Sequence, residues 1–235
     1  MKAIIAGTSI ENVLSEGTGI ETYETKYGSV DAAMEDGILF IFRHRKGHSV
    51  APHKIDYRAH VSLLEEMGVT DVITTHAVGS ISQRLLPVEI GLVGDYIDFT
   101  SGREATFFDG VERPLRHTEM TNVYRNELVL KIMETSIEMG LRVSTGLTYI
   151  TTDGPRLESP AEIRAYRSWG ADVVGMTLNP EVNLIHELGI NVQSLAFSIN
   201  WAAGLDEEGI SFIEPKSEER LSENVFRLAA NSLKK

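Results

Sequence analysis

The chain of 235 residues contains no cysteine, which removes disulfides, thiolate metal sites and a cysteine nucleophile together and fits a reducing compartment. It also lacks any apolar run near the roughly 20 residues of a membrane span, and the stretch from Met1 to Gly7 is too short for a signal peptide. The expectation is a cytoplasmic protein with no membrane partner. Basic charge is scarce: 22 Lys and Arg face 34 Asp and Glu, a net −12 whose field repels duplex nucleic acid unless a local patch overrides it. Proline is limited to 7 residues and no Pro/Ser-rich linker, repeat or low-complexity tract interrupts the chain. With 42% hydrophobic residues spread evenly, the sequence is expected to form one domain over residues 1–235.

What is present alternates. Short apolar runs rich in Ile and Val, each followed by Gly or small polar residues, lie at residues 3–6, 37–42, 71–75, 90–97, 173–175 and 191–198 and predict buried strands. Between them, residues 57–67 place Ala59, Leu63, Leu64 and Met67 on one helical face before Gly68. Residues 127–139 repeat the pattern before Gly140, and residues 216–233 close the chain with another amphipathic stretch. Ser159 and Pro160 form an N-cap and first-turn signal for a helix running to about Trp169. Strands alternating with helices mean an α/β architecture.

Five of the seven histidines lie between His44 and His76. A metal site is disfavoured, because His44 and His48 sit in a Gly-interrupted segment without carboxylates at ligand spacing. A solvent-facing basic loop and an anion cradle both remain. The cradle draws on position: Arg43 and His44 directly follow a strand, where α/β sheets open their ligand crevice, and guanidinium and imidazole both donate to phosphate oxygens. Three other segments share the strand-then-donor form: Gly7, Thr8 and Ser9; His76 and Ala77 with Gly79 and Ser80; and Gly175, Met176 and Thr177. Each alone reads equally well as a turn. Two further residues are ambiguous. Glu158 either favours the helix N-terminus electrostatically or presents a carboxylate to a ligand, and Asn200 either closes a strand as a turn residue or offers its amide.

Taken in order, Phe42-Arg43-His44 with Gly47 and His48, the run from Pro52 to Arg58, Ala77-Val78-Gly79-Ser80, Asp95 to Asp98 with Thr106 to Asp109, Gly154-Pro155-Arg156, and Gly175-Met176-Thr177 with Pro180 to Asn183 resemble the trimeric purine nucleoside phosphorylases. Within that family they are most similar to the methylthioadenosine/methylthioinosine phosphorylase branch. The resemblance spans nearly the whole chain. It implies a central mixed, partly barrel-like sheet flanked by helices, a homotrimer, and attack of inorganic phosphate, a co-substrate, on a nucleoside with no metal or organic cofactor. By this resemblance Thr8, Arg43, His44, the Ala77 backbone and Thr177 hold phosphate, Met176 packs against ribose, and His117 reaches a neighbouring subunit's sugar pocket.

The base pocket follows from hydrogen-bond chemistry once those positions are matched. The amide of Asn200 can donate to O6 of a 6-oxopurine while its carbonyl accepts from a protonated N7, and Glu158 can accept the N1–H that hypoxanthine and guanine carry. Adenine leaves unmatched groups against this pair, at about 1–3 kcal/mol for each buried one. The family's adenosine-type members carry a small hydroxyl residue and Asp at these two positions, and its inosine/guanosine members carry Glu and Asn. Leu157 stands where the family often stacks an aromatic ring on the base, so either base affinity is lower or another ring, such as Trp201, serves. His76 and Ala202 replace a small hydroxyl residue and a second acid of the methylthioadenosine enzymes. Ile210, Phe212 and Ile213, with no histidine among them, imply an apolar pocket for a 5′-methylthio group. The expected activity is phosphorolysis of 6-oxopurine nucleosides, 5′-methylthioinosine above inosine and guanosine. A 5′-methylthioadenosine phosphorylase is the neighbouring alternative, and a catalytically silent nucleoside- or phosphate-binding protein is the alternative of another class.

Overall fold

Side-chain alternation along the first strand sets the layering. In the computed structural model, which describes residues 1–7, 19–45, 47, 49–206 and 209–235, β1 (Lys2–Ala6) sends Ala3 and Ile5 to one face of a sheet and Ile4 and Ala6 to the other. Both faces are apolar because both are covered, as parallel strands require. The first face packs against α1 (Tyr57–Glu66) and α4 (Glu181–Glu187), and the second against α2 (Leu128–Glu138) and α5 (Pro215–Lys234). On α5 the stripe Leu221, Val225, Leu228 and Leu233 is buried at helical spacing, each large side chain contributing roughly 1.5–3 kcal/mol by leaving water. A smaller cluster forms where α3 (Pro160–Ser168) lays Ile163 and Tyr166 against Ile150, Val174 and Ala202.

The remaining strands are β2 (Glu21–Thr25), β3 (Gly28–Glu35), β4 (Ile38–Phe42), β5 (Asp71–Ser80), β6 (Ile90–Asp98), β7 (Val143–Thr151), β8 (Val173–Gly175) and β9 (Asn191–Trp201). Their order is β2-β3-β4-β1-β5-β8-β7-β6-β9, and a further pairing of β9 with β5 closes the last five into a ring. The result is the mixed, partly barrel-like sheet implied by the sequence. β4, β1, β5 and β9 run parallel to one another, so their carboxyl ends open on one edge. β8 runs antiparallel to β5, from beside Ser80 back along the strand.

Strand β5 belongs to both halves of the sheet, and its pairing has a gap. β1 leaves it after Thr74 and β8 joins it only at Gly79, so over residues 75–78 that side of β5 has no strand partner among the described residues. On its other side β9 follows β5 throughout, with a register shift between Val78 and Gly79 that brings Asn200 opposite Gly79. Asn200 is therefore a residue of β9 and not the turn that closes it.

Two helix starts are locally encoded. Asp56 caps α1 by accepting from the Ala59 amide at 3.1 Å, and Ser159 and Glu162 form a reciprocal capping box on α3. Among the described residues no helix is long and apolar enough to cross a membrane. Replacing Ser159 by Ala is expected to lower unfolding stability by about 1 kcal/mol in urea titrations, since the Glu162 amide in the first turn of α3 loses its acceptor.

Candidate active site

The open edge of the sheet holds a cavity of about 190 Å³ at the gap in β5. Gly7, Arg43, His44, Ala77 and Thr177 line one end, and Glu158, Asn200, Leu157 and Phe212 line another, with Met176 between the strands that carry them. Nine of the twelve residues expected from the sequence thus share one cavity: Arg43, His44, Ala77, Leu157, Glu158, Met176, Thr177, Asn200 and Phe212. Thr8 lies outside the described residues, as does His48.

Arg43 departs from its expected role in detail. Its Nε and Nη2 donate to the two carboxylate oxygens of Glu181 at 2.7 Å each, Nη1 donates to the Thr75 carbonyl at 2.8 Å, and Nη2 also reaches the Ile5 carbonyl at 3.4 Å. Four of the five guanidinium N–H groups are thereby used inside the fold, and one on Nη1 is left for an anion. Both side chains of the pair are fully buried. Burial works against Arg43's charge, but the Glu181 carboxylate outweighs it and holds the guanidinium above its usual value; burial raises Glu181, against the pull of Arg43. Gly7 makes the approach possible, because a Cβ there would stand 2.5 Å from the Thr75 carbonyl oxygen and 3.0 Å from Nη1.

The other donors at this end are largely neutral. His44 Nδ1 is 2.8 Å from the Val50 carbonyl, an acceptor only, so Nδ1 carries the proton and Nε2 donates to an anion only in the imidazolium form. Ala77 lies in the unpaired stretch of β5, with its carbonyl on the side toward Gly175. Thr177 follows β8, and its hydroxyl meets Nδ1 of the buried His76 at 2.9 Å. Gly175 is required here, since a Cβ would overlap the Tyr149 hydroxyl.

At the opposite end, Glu158 Oε1 accepts from the Thr152 hydroxyl at 2.7 Å, leaving Oε2 for a ligand. The Asn200 amide donates one N–H to the Trp201 carbonyl at 2.7 Å and keeps its second N–H and its oxygen. Two expectations, for Trp201 and Ile213, are corrected. Trp201 does not line the cavity: it is the strand neighbour of Asn200, so the alternation that turns Asn200 inward turns Trp201 to the other face. Phe212, paired with Asn200 through a β-bridge and more than half exposed at the rim, is the ring beside the amide. His117 is exposed in the irregular segment before α2 and lies outside its own chain's cavity. Ile213 packs toward α5 while Ile210 lines the cavity.

Sequence reasoning does not reach two partners or the links of a third residue. Glu181 is 138 residues from Arg43, and although a buried arginine requires an acid, nothing local says which. Arg103 is also nearly buried and donates to the carbonyls of Met176, Asn179, Thr152 and Asp153 and to the Tyr57 hydroxyl. Its segment has no pattern that singles it out. His76 stands out in the sequence by position, but its hydrogen bonds to Thr74 and Thr177 do not.

Two histidines are buried and neutral. Burial, then the positive charges of Arg43 and His44, pushes His76 well below the usual imidazole value; burial, then Arg43, His44 and Arg45, pushes His60 down to about 3. The unfolded chain protonates both near pH 6.5 and the folded one does not. Their contribution to stability is therefore full above about pH 6.5 and falls as pH drops toward the depressed folded values, by about 1.4 kcal/mol per pH unit for each. In urea titrations between about pH 7 and 5, His60→Gln is expected to lessen the acid slope by close to one proton; an unaltered slope means the folded protein already protonates His60.

The geometry has counterparts in known proteins. A profile of the phosphorylase superfamily matches residues 5–234. The chain is 38% identical over 232 residues to a 6-oxopurine nucleoside phosphorylase of Pyrococcus furiosus, covering 92% of this chain and 88% of that protein. It is 40% identical over 209 residues to a Methanopyrus kandleri protein named "Probable S-methyl-5'-thioinosine phosphorylase", covering 87% of this chain and 80% of the other. A solved methylthioadenosine phosphorylase from an Antarctic soil metagenomic library superposes with a TM-score of 0.88 at 25% identity, over 99% of this chain and 85% of that one. The chain belongs to the phosphorylase superfamily.

Proposed function

We propose that the protein catalyses phosphate-dependent cleavage of 6-oxopurine nucleosides, with 5′-methylthioinosine preferred and inosine and guanosine slower. The observation that carries this reading is the placement of Glu158 and Asn200 in the same cavity as Arg43, His44, Ala77 and Thr177. An oxyanion at the Thr177 end attacks C1′ of a sugar packed against Met176; the C–O bond forms as the glycosidic C–N bond breaks, and the electron pair passes to the purine. The anion's charge stabilises the oxocarbenium-like sugar, and fixing both reactants in one cavity removes the entropy of bringing them together. The departing base gains negative charge at O6 and N7, and N7 takes up a proton from solvent. The free N–H of Asn200 donates to O6 and its oxygen accepts from protonated N7, while Glu158 Oε2 accepts N1–H.

The 5′ preference rests on the cavity's apolar wall. Ile210, Ala203 and Pro52 line it, and its one histidine among the described lining residues is His44, whose Nδ1 proton is held by Val50. A methylthio group suits that wall better than a hydroxyl, which would lose hydration without a partner. Orthophosphate is the co-substrate and no metal or organic cofactor enters this reaction. His117, exposed on its own chain, serves the sugar pocket of a neighbouring copy in a cytoplasmic homotrimer, a reading that light scattering tests.

Incubation with 5′-methylthioinosine is expected to release hypoxanthine only when orthophosphate is present; equal release without it would mean a hydrolase. Replacing Asn200 by Asp is expected to lower the ratio of kcat/KM for 5′-methylthioinosine over 5′-methylthioadenosine by about tenfold or more, because the amide donor to O6 becomes an acceptor. A wild-type ratio below one would instead favour the methylthioadenosine activity, and ligand-induced stabilisation without turnover would favour a binding protein.

A further inference from the structure

Behind Thr177 runs a line of buried hydroxyls and one imidazole. The Tyr124 hydroxyl is 3.2 Å from Ser194 Oγ, Ser194 Oγ is 2.8 Å from Thr74 Oγ1, Thr74 Oγ1 is 2.9 Å from His76 Nε2, and His76 Nδ1 is 2.9 Å from Thr177 Oγ1. All five residues are buried. We propose that this chain of hydrogen bonds is directed, each member donating toward the cavity, so that His76 is a positioning residue that keeps the Thr177 O–H aimed at the anion. The inference rests on the phosphate end of the function proposed above.

Proton accounting selects the direction. A neutral imidazole has one N–H and one lone pair, so the chain has two self-consistent senses. In the outward sense Tyr124 donates to Ser194, Ser194 to Thr74, Thr74 to Nε2, and Nδ1–H to Thr177, whose own O–H is then left for the cavity. In the inward sense Thr177 donates to Nδ1, Nε2–H to Thr74, Thr74 to Ser194, and Ser194 to Tyr124. That sense leaves the buried Tyr124 proton without an acceptor, because Ser194 is its only partner among the described residues. It also turns lone pairs of Thr177 toward an incoming anion. In the outward sense no proton within the chain is orphaned; the buried Tyr149 hydroxyl beside Thr177, which has no hydrogen-bond partner among the described residues, lies outside the chain in either sense.

The surroundings keep the imidazole neutral. Arg43 and His44 face it and oppose a second proton, and the Tyr149 ring stands edge-on at 5.7 Å between centroids. The Glu181 carboxylate lies 3.9 Å from Nε2 and alone would favour Nε2–H, but that distance is beyond hydrogen-bond reach and its charge is matched by the Arg43 fork. Members of such a chain polarise one another in a low-dielectric interior, so the last hydroxyl becomes a stronger donor without any net charge being added. This matters where Arg43 has one N–H to give.

The test reads the tautomer and its kinetic consequence. In protein selectively labelled with ¹⁵N-histidine and saturated with orthophosphate, with the His76 signals assigned by their loss in His76→Gln, the expected state is Nδ1 protonated and Nε2 bare; the reverse overturns the inference. Tyr124→Phe removes only the far end of the chain. It is expected to raise the KM for phosphate severalfold with the KM for nucleoside unchanged, and His76→Leu to raise it about tenfold, partly restored in His76→Asn, whose amide still donates to Thr177. Equal changes in both KM values, or no rescue by Asn, would mean a structural role and overturn it. A wild-type protein on which orthophosphate has no kinetic or stabilising effect overturns the proposed function instead, and the tautomer can still be read in that protein.

Discussion

The buried pairing of Arg43 with Glu181 is the constraint around which the anion end is built. Two charges removed from water are tolerated only when hydrogen bonds replace hydration, and here the carboxylate takes two N–H groups while the carbonyls of Thr75 and Ile5 take two more. These bonds join the end of β4 to β1, β5 and the first residue of α4. Loss of either partner would strand a charge in the core. The same pairing limits what Arg43 can give a ligand. A dianion approaching this edge meets a cation already neutralised by its neighbour, so its binding must be carried by hydrogen bonds from Arg43 Nη1, the β5 backbone and Thr177.

The sheet supplies those hydrogen bonds through an omission. Backbone groups of an interior strand are normally consumed by its neighbours, but β5 changes partner from β1 to β8 and between them has no strand partner on that side among the described residues. An unpaired stretch in the middle of a sheet is costly unless something else satisfies it, which is what a ligand does at such an edge. The register shift between β5 and β9 falls beside the same stretch and brings Asn200 to it. One local irregularity thus opens the Thr177 end of the cavity, and the adjacent one delivers Asn200 to its lining.

How much of this was legible depends on whether the signal is local. The buried strands and the helices with apolar stripes stand out because their period and their caps are written in consecutive residues; the Ser159 cap is an instance. β2 does not stand out, because Glu21, Thr22, Tyr23, Glu24 and Thr25 form a solvent-facing edge strand with no apolar run. β7 hides behind Gly146 and its polar neighbours, and seven-residue α4 is too short for a period to emerge. Within the site, Arg43, Thr177, Glu158 and Asn200 could be placed by pattern and resemblance. Trp201 could not be excluded without knowing the phase of β9, and Glu181 could not be paired without knowing the fold. Arg43 was expected to be a fork for phosphate because a sequence shows a side chain's donors but not which of them the fold has already used.

The two ends of the cavity are coupled by a residue in neither. Arg103 donates to the carbonyls of Thr152 and Asp153, and Thr152 in turn holds Glu158 through its hydroxyl. The same guanidinium donates to the carbonyls of Met176 and Asn179, which flank Thr177 and lead into Glu181. A planar donor group with a buried, nearly fixed stem holds these segments at set separations more firmly than packing alone would, since each carbonyl it releases would be left without a partner in the interior. The distance between the Glu158 carboxylate and the Thr177 hydroxyl is therefore not free to drift with loop motion. For a reaction in which attack at one end and departure at the other must proceed together, that fixed span matters as much as the chemistry of either end.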